Sequence, residues 1–393
     1  MTHCIISIPL WNVLLEKAMT QEPSGLLEVT VTDLTSSGAG LARGPDGRVL
    51  FIPFSAPGDH LRVRVTSQEK RYAEAEIIEI LEPSAERANP PCAVFGKCGG
   101  CPWQHIPYAR QWQTKVRGLR HTLERRQITA PEPIGELPAA RIWEYRNRIQ
   151  LRGHGRQLGF FARSSQALVP VDRCEIARPE LNAALAETRT EGARLPRPFK
   201  VELEVLEDGT VRRTWNAGHA ARGFRQIHDE QNTLLQKWVT DAISPGRTVY
   251  DLFGGSGNFA QLLAQTAQTV HCVDTSALAG TEGKVRFHRG GVFPWLLKQP
   301  APAPGAAPAS AVVDPPREGL GPDFPEIEAS LRRLGVNEVV AVGCDANAWA
   351  HDVSRFLKKG WRLERVAALD LFPQTPHLEA LALLRIDTTQ CPP

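Results

Sequence analysis

The chain has 393 residues, 42% of them hydrophobic and 23% charged, with a formal net charge of +3. That length exceeds one compact core and implies two or three domains. No apolar run reaches the roughly 18 residues of a membrane span. The apolar start from Cys4 to Leu10 also lacks the basic flank and small-residue cleavage site of a secretion signal. Met1 and Met19 are the only methionines, and regular patterning begins after the second, so residues 1–24 are expected to be a disordered leader or a mis-assigned start. Charge is unevenly spread. From Arg110 to Arg163 twelve Lys/Arg face four Glu, giving +8 and leaving the remainder net negative. Such a segment suits a phosphate-backbone partner, the plainer alternative being a solvated basic face.

Residues 25–84 alternate in short strand-like runs, Leu27 to Val31, Val49 to Pro53, Leu61 to Val65 and Ala75 to Leu81, separated by Gly-rich turns. This spacing predicts a small β-barrel. Pro90-Pro91 marks a boundary, after which Cys92, Cys98 and Cys101 follow with five and two residues between them, and Cys174 after seventy-two more. In an apparently cytosolic chain, clustered cysteines point to metal rather than disulfides. Four thiolates suit zinc or an iron-sulfur cluster, and with every ligand supplied by protein the role is structural. A basic helix is predicted from Tyr108 to Arg126. The run WEYRNRIQLRGHGRQLGFFARSS that follows reads as strands mixing arginines and aromatics, a surface able to hold phosphates and stack splayed bases. Arg146 and Arg148 are expected to be charged surface.

The remaining third is organised around Val249-Tyr250-Asp251-Leu252-Phe253-Gly254-Gly255-Ser256-Gly257-Asn258-Phe259, a strand, a glycine turn and a helix start. In a doubly wound α/β sheet such a turn receives a nucleotide-like cofactor, and the next strand end supplies an acid to its ribose. That strand is Thr269 to Val273, ending on Asp274. Asp274 comes too soon for a dinucleotide fingerprint, and Asp251 sits where pyrophosphate would otherwise bind. A cofactor without phosphate, S-adenosylmethionine, fits better. The Pro/Ala-rich stretch Gln299 to Ser310 reads as a flexible loop. Two buried strands follow, one ending at Asp314-Pro315-Pro316-Arg317 and one at Gly343-Cys344. A cysteine at a strand's carboxyl edge lies on the cofactor side of the sheet.

Read together, these motifs resemble the RNA 5-methyluridine methyltransferases. GAGLARGPDGRVLFIPFSAPGD resembles a TRAM domain, and CAVFGKCGGCPWQH with the distant VDRC is similar to the family's [4Fe-4S] site. The resemblance makes Cys92, Cys98, Cys101 and Cys174 cluster ligands. GFRQIHDEQN places Gln226 at the cofactor, where Phe253, Asn258 and Asp274 would join it through aromatic packing, a loop hydrogen bond and the ribose carboxylate. DPPR puts Asp314 beside the methyl donor and target base. Cys344 becomes the nucleophile that adds to uracil carbon 6, and Glu379, in DLFPQTPHLEALALL, the base that removes the carbon 5 proton. The implied architecture is a Rossmann-like methyltransferase domain at 223–393, an N-terminal OB-like TRAM barrel at 25–84, and a central α+β iron-sulfur and RNA-binding domain at 85–222. The implied function is methylation of one uridine, flipped or single-stranded, in 23S ribosomal RNA, with no membrane and no obligate protein partner. A transfer-RNA enzyme and a noncatalytic RNA-binding protein are the alternatives.

The chain departs from the family pattern in three places. Gly254 stands where a cysteine is usual, and SALAGTEGKVRFHRGGV after Asp274 lacks most of a helix and leaves Gly290-Gly291 at the adenine contact. Cys344-Asp345-Ala346 replaces Cys-Asn-Pro, with His351-Asp352 for the later Arg-Asp. A carboxylate beside the thiol is expected to disfavour its thiolate.

Overall fold

The computed structural model describes residues 25–218 and 225–386, so the expected leader lies outside the described residues. The chain divides into two compact units, which meet between Arg87 and Ala88.

The first unit is a six-stranded sheet: β1 (Leu26–Thr30), β2 (Asp33–Leu34), β3 (Gly40–Arg43), β4 (Val49–Ile52), β5 (His60–Gln68) and β6 (Tyr72–Glu82). Its order is β1-β5-β6-β4-β3-β2, and the link after β1 curls onto β3 through Thr32 N donating to Leu41 O at 2.7 Å. Alternating residues such as Val29, Leu50, Ile52, Leu61 and Val63 fill the interior, as period-two patterning requires. Asp59, wholly buried, receives the Ala56 N–H and the Arg87 guanidinium and so closes the turn before β5.

The second unit opens with α1 (Tyr108–Arg125) and β7 (Gly135–Leu137), then builds a five-stranded sheet from β8 (Arg148–His154), β9 (Gln157–Phe161), β10 (Leu168–Pro170), β11 (Phe199–Val205) and β12 (Val211–Trp215). α2 (Pro179–Ala183) and α3 (Leu185–Gly192) lie between β10 and β11, and their Leu181 and Leu185 pack into the same core as Leu151, Leu158 and Val201. Arg146 and Arg148 differ from expectation. Arg148 is buried and donates to Arg225 O, and the Arg146 guanidinium is enclosed beside Tyr145.

The elements that follow are α4 (Asp229–Ala242), β13 (Thr248–Leu252), α5 (Ala260–Leu263), β14 (Thr269–Asp274), β15 (Gly280–Glu282), β16 (Val285–Arg289), α6 (Val292–Leu297), β17 (Ala309–Val313), α7 (Phe324–Arg333), β18 (Val336–Gly343), α8 (Ala346–Lys358), β19 (Arg362–Leu369) and β20 (Glu379–Arg385). They form a nine-stranded sheet ordered β15-β16-β14-β13-β17-β18-β20-β19-β7. The five strands from β16 to β18 are parallel, while β20 runs antiparallel between β18 and β19. Helices cover both faces, which is why β17 and β18 are nearly continuous apolar runs. Strand order reverses between β13 and β17, so the crevice at their carboxyl ends is the switch point where ligands bind in open α/β sheets.

Residues 88–218 share elements with this sheet: β7 pairs with β19, and Trp112, Val116, Leu119 and Leu123 of α1 join the core under α7 and α8. The anchor is an ion pair. Lys115 Nζ, completely enclosed, donates to Asp370 Oδ1 at 2.7 Å and to Phe372 O at 3.1 Å, and Tyr108 donates to Asp370 Oδ2 at 3.0 Å. Breaking a buried pair by deleting one partner strands the other charge. Lys115→Met should therefore lower unfolding free energy by about 3–5 kcal/mol, measured from urea midpoints, whereas Gln113→Ala at an exposed position of the same helix should shift it by less than about 0.5 kcal/mol.

Candidate active site at the sheet's carboxyl edge

β13 ends in the glycine turn. Phe253 adopts a φ of 63°, a strained conformation for an aromatic residue, and its N–H together with that of Gly254 donates to Val273 O, fixing the turn to β14. A Cβ on Gly254 would stand 2.6 Å from Asp251 Oδ2 and 2.7 Å from Cys272 Sγ. The space of the usual cysteine is thus taken by a thiol from the next strand and a carboxyl from beneath. Asp251 is wholly buried, and neither of its oxygens reaches a partner with ordinary geometry, although the Ala260 N–H and the Cys272 thiol face it. Burial, then the Asp314 charge, push its carboxyl up to about 7.

The expected cofactor residues surround this turn. Asn258 is paired reciprocally with Asn232 at 2.9 and 3.0 Å and receives Gln236 at 3.1 Å, which ties the turn to α4. Asp274, at the end of β14, accepts from Ser276 N and Oγ, both at 2.6 Å, and its carbonyl accepts from Gly290 N. Gln226 is buried, and its carbonyl accepts from Asn147 Nδ2. The short segment after Asp274 contains the β15–β16 hairpin instead of a helix, adding an edge strand to the sheet.

Two of the three candidate catalytic residues, Cys344 and Glu379, come together by strand register, the third being Asp314. Gly343 of β18 lies opposite Ala380 of β20, so Cys344, one residue on, and Glu379, one residue back, emerge side by side. Glu379 is buried, not a surface glutamate between strands, and burial followed by Asp314 raises its pKa well above the ordinary carboxylate range. Burial and Glu379 push the Cys344 thiol up to about 11, opposed by the charge of Arg317 and a hydrogen bond from it. Asp314 N donates to Leu252 O, which holds Asp314 against β13, and burial raises its carboxyl to about 7.

Asp345 does not act as expected. It caps α8, its Oδ1 accepting from Asn347 N at 3.0 Å and Ala348 N at 2.9 Å, so its charge serves the helix N-terminus. Asp352, which follows the altered His351, accepts from Leu320 N at 2.8 Å and pins the loop that carries Arg317. Sequence reasoning gave no role to Arg317, although DPPR contained it. Nor did it foresee His377, which burial and Arg317 hold neutral by depressing its pKa to about 4.

The four cysteines line one cavity of about 210 Å³ with Val94, Phe160 and Arg146. Asn182 secures Cys174 through its N–H and carbonyl, while Cys98 bridges to Ala162 after β9. Burial raises the thiols of Cys98, Cys174 and Cys101, the last to about 12. The expected metal centre is not established by this geometry: among the described residues, no three His, Cys, Asp or Glu converge as a group able to hold a metal ion. Among them, too, no helix is long and apolar enough to cross a membrane.

Residues 26–78 match the TRAM domain family. Over 92% of its length the chain is 31% identical to the 23S rRNA (uracil(1939)-C(5))-methyltransferase RlmD of Chromohalobacter salexigens, covering 89% of that protein. It is 29% identical to the RlmD of Pectobacterium atrosepticum, with 93% and 95% of the two chains covered. Among solved structures, the tRNA (uracil-54, C5)-methyltransferase of Pyrococcus abyssi, in complex with S-adenosyl-L-homocysteine, superposes with a TM-score of 0.67 at 21% identity, over 91% of this chain and 100% of that one, a likeness of fold. With its strand-end cysteine and glutamate joined at one edge and its full-length likeness to such enzymes, the chain belongs to the RNA uracil-C5 methyltransferase family.

Proposed function

We propose that this protein methylates carbon 5 of one uridine in 23S ribosomal RNA, with S-adenosylmethionine as donor. The observation that carries the reading is the register of β18 and β20, which sets Cys344 beside Glu379 at the sheet's carboxyl edge. Uracil carbon 5 is a weak nucleophile. Addition of the Cys344 thiolate to carbon 6 makes an enolate whose carbon 5 can accept a methyl group. The positive charge of Arg317 beside Cys344 favours the thiolate against burial. Glu379 then removes the carbon 5 proton, and elimination frees Cys344. Its high pKa suits a base that must surrender the proton afterwards, and it requires ionisation before the step.

When bound, the cofactor supplies an electrophilic methyl group. Phe253, Asp274 and Gln226 would hold it in the crevice, Asp314 would stand between it and the base, and Asn258 would act by bracing the turn against α4. The chain is read as a cytoplasmic protein with RNA as its partner and no obligate protein partner. Cys92, Cys98, Cys101 and Cys174 are proposed to hold a [4Fe-4S] cluster. A single zinc ion needs all four sulfurs about 2.3 Å from one point. A cluster, being larger than one ion, would be held by the four thiolates around the cavity they share, where it would serve a structural role.

Tritium release from carbon-5-labelled RNA tests the chemistry. Wild type should release label from 23S RNA and not from transfer RNA. Cys344→Ala should release none, and Glu379→Gln should be slower by about 10²–10⁴-fold while accumulating a protein–RNA adduct. Release only from transfer RNA would move the substrate. RNA binding without release would identify a noncatalytic RNA-binding protein. After anaerobic purification, about four iron and four sulfide per chain are expected, lost in Cys101→Ser. Zinc at one per chain would replace the cluster assignment.

A further inference from the structure

The carboxyl edge gathers more acid than it can keep ionised. Asp251 near the end of β13, Asp314 just after β17 and Glu379 at the start of β20 gather at the sheet edge that, on the reading above, receives the cofactor, and the Asp314 charge acts on both of the others. Asp251 is completely buried, makes no ion pair among the described residues, and lies with Oδ2 against the underside of the glycine turn. Asp314 is held to the same strand by its N–H on Leu252 O, and Glu379 is 2% exposed. The groups facing them are few. Cys272 and Asp274 come from β14, Arg317 follows β17, and Cys344 and Asp345 follow β18, while His377 precedes β20. His377 is neutral, Asp345 caps α8, and Arg317 is the cation beside Cys344. Asp251 and Glu379 are buried and Asp314 is half-buried between their charges, so the three are not all charged at once: burial and like-charge repulsion both favour the protonated form.

We propose that Asp251, Asp314 and Glu379 form a shared proton store beneath the cofactor turn, emptied when the cofactor's positive charge arrives, so that binding of S-adenosylmethionine releases protons to solvent. Asp251 touches no reacting atom and acts through Asp314 as a positioning residue. S-adenosylmethionine carries a sulfonium and an ammonium against one carboxylate, net +1, whereas S-adenosylhomocysteine lacks the sulfonium and is neutral overall. A cation nearby lowers a carboxyl's pKa. With Asp251 and Asp314 held at about 7, these two carboxyls are protonated below neutral pH and ionised well above it. Cofactor affinity therefore weakens as pH falls below 7, by up to about tenfold per unit for each proton these two release.

Calorimetry of the full-length protein at pH 7, in phosphate and in Tris, counts the protons through the two buffers' different ionisation enthalpies. The expected result is a net release of about one proton per S-adenosylmethionine, a smaller release with S-adenosylhomocysteine, and a reduced release in Asp251→Asn with binding retained. Should Asp251→Asn fail to fold, the comparison of the two ligands on wild type decides by itself. Clear binding with the same enthalpy in both buffers, or equal release by the two ligands, would overturn the proton store while leaving the cofactor assignment standing. Absence of binding at every pH would overturn both.

Discussion

The enclosed contact between Lys115 and Asp370 is the constraint on which the catalytic edge depends. Two charges separated by 255 positions meet with both side chains fully enclosed, and neither can leave without stranding the other. Around them Tyr108 and Ala139 extend the network, and Gln111 exchanges hydrogen bonds with Gln374, whose φ of 69° bends the loop. The result is a rigid connection between α1 and residues 370–379, the segment that ends at Glu379. A glutamate in a loop would be solvated and a weak, misplaced base. Here it begins a buried strand, at a height set by β18 on one side and on the other by β19, whose Leu369 lies opposite it.

Strand ends also control how each group ionises. The same burial that positions Cys344, Glu379, Asp314 and Asp251 raises every one of their pKa values. The protein offsets this with few charges. Arg317 is brought to the thiol by a loop pinned through Leu320 to Asp352, and the carboxylate of Asp345 is turned away into a helix cap. Asp345 occupies a position that looks like damage to the family's motif, yet in the folded chain it starts α8, while Asp352, which the motif keeps, positions the loop that carries the cation.

The cofactor side shows a comparable redistribution. Gly254 leaves a gap that Cys272 and Asp251 fill from neighbouring positions, and the β15–β16 hairpin closes the sheet edge where a helix is expected. The parallel strands and their switch point do not depend on either change, because they are determined by buried apolar runs in β13, β14, β17 and β18.

Much was legible in the sequence because it is local. Alternating runs announced the barrel strands. The glycine turn and the apolar strands ending at Asp274, Asp314 and Cys344 announced the doubly wound sheet and the side on which its chemistry lies, since a strand's period and its last residue are properties of neighbouring positions. What only tertiary structure decided is contact between distant segments: Lys115 with Asp370, the docking of a basic helix by its apolar stripe, the burial of Arg148, and the adjacency of Cys344 to Glu379. A single sequence records each of those residues separately, but their charge state and direction come from what the fold packs against them. The direction of Asp345 followed the same rule, because a carboxylate at a helix start is drawn to free N–H groups that exist only once α8 has formed.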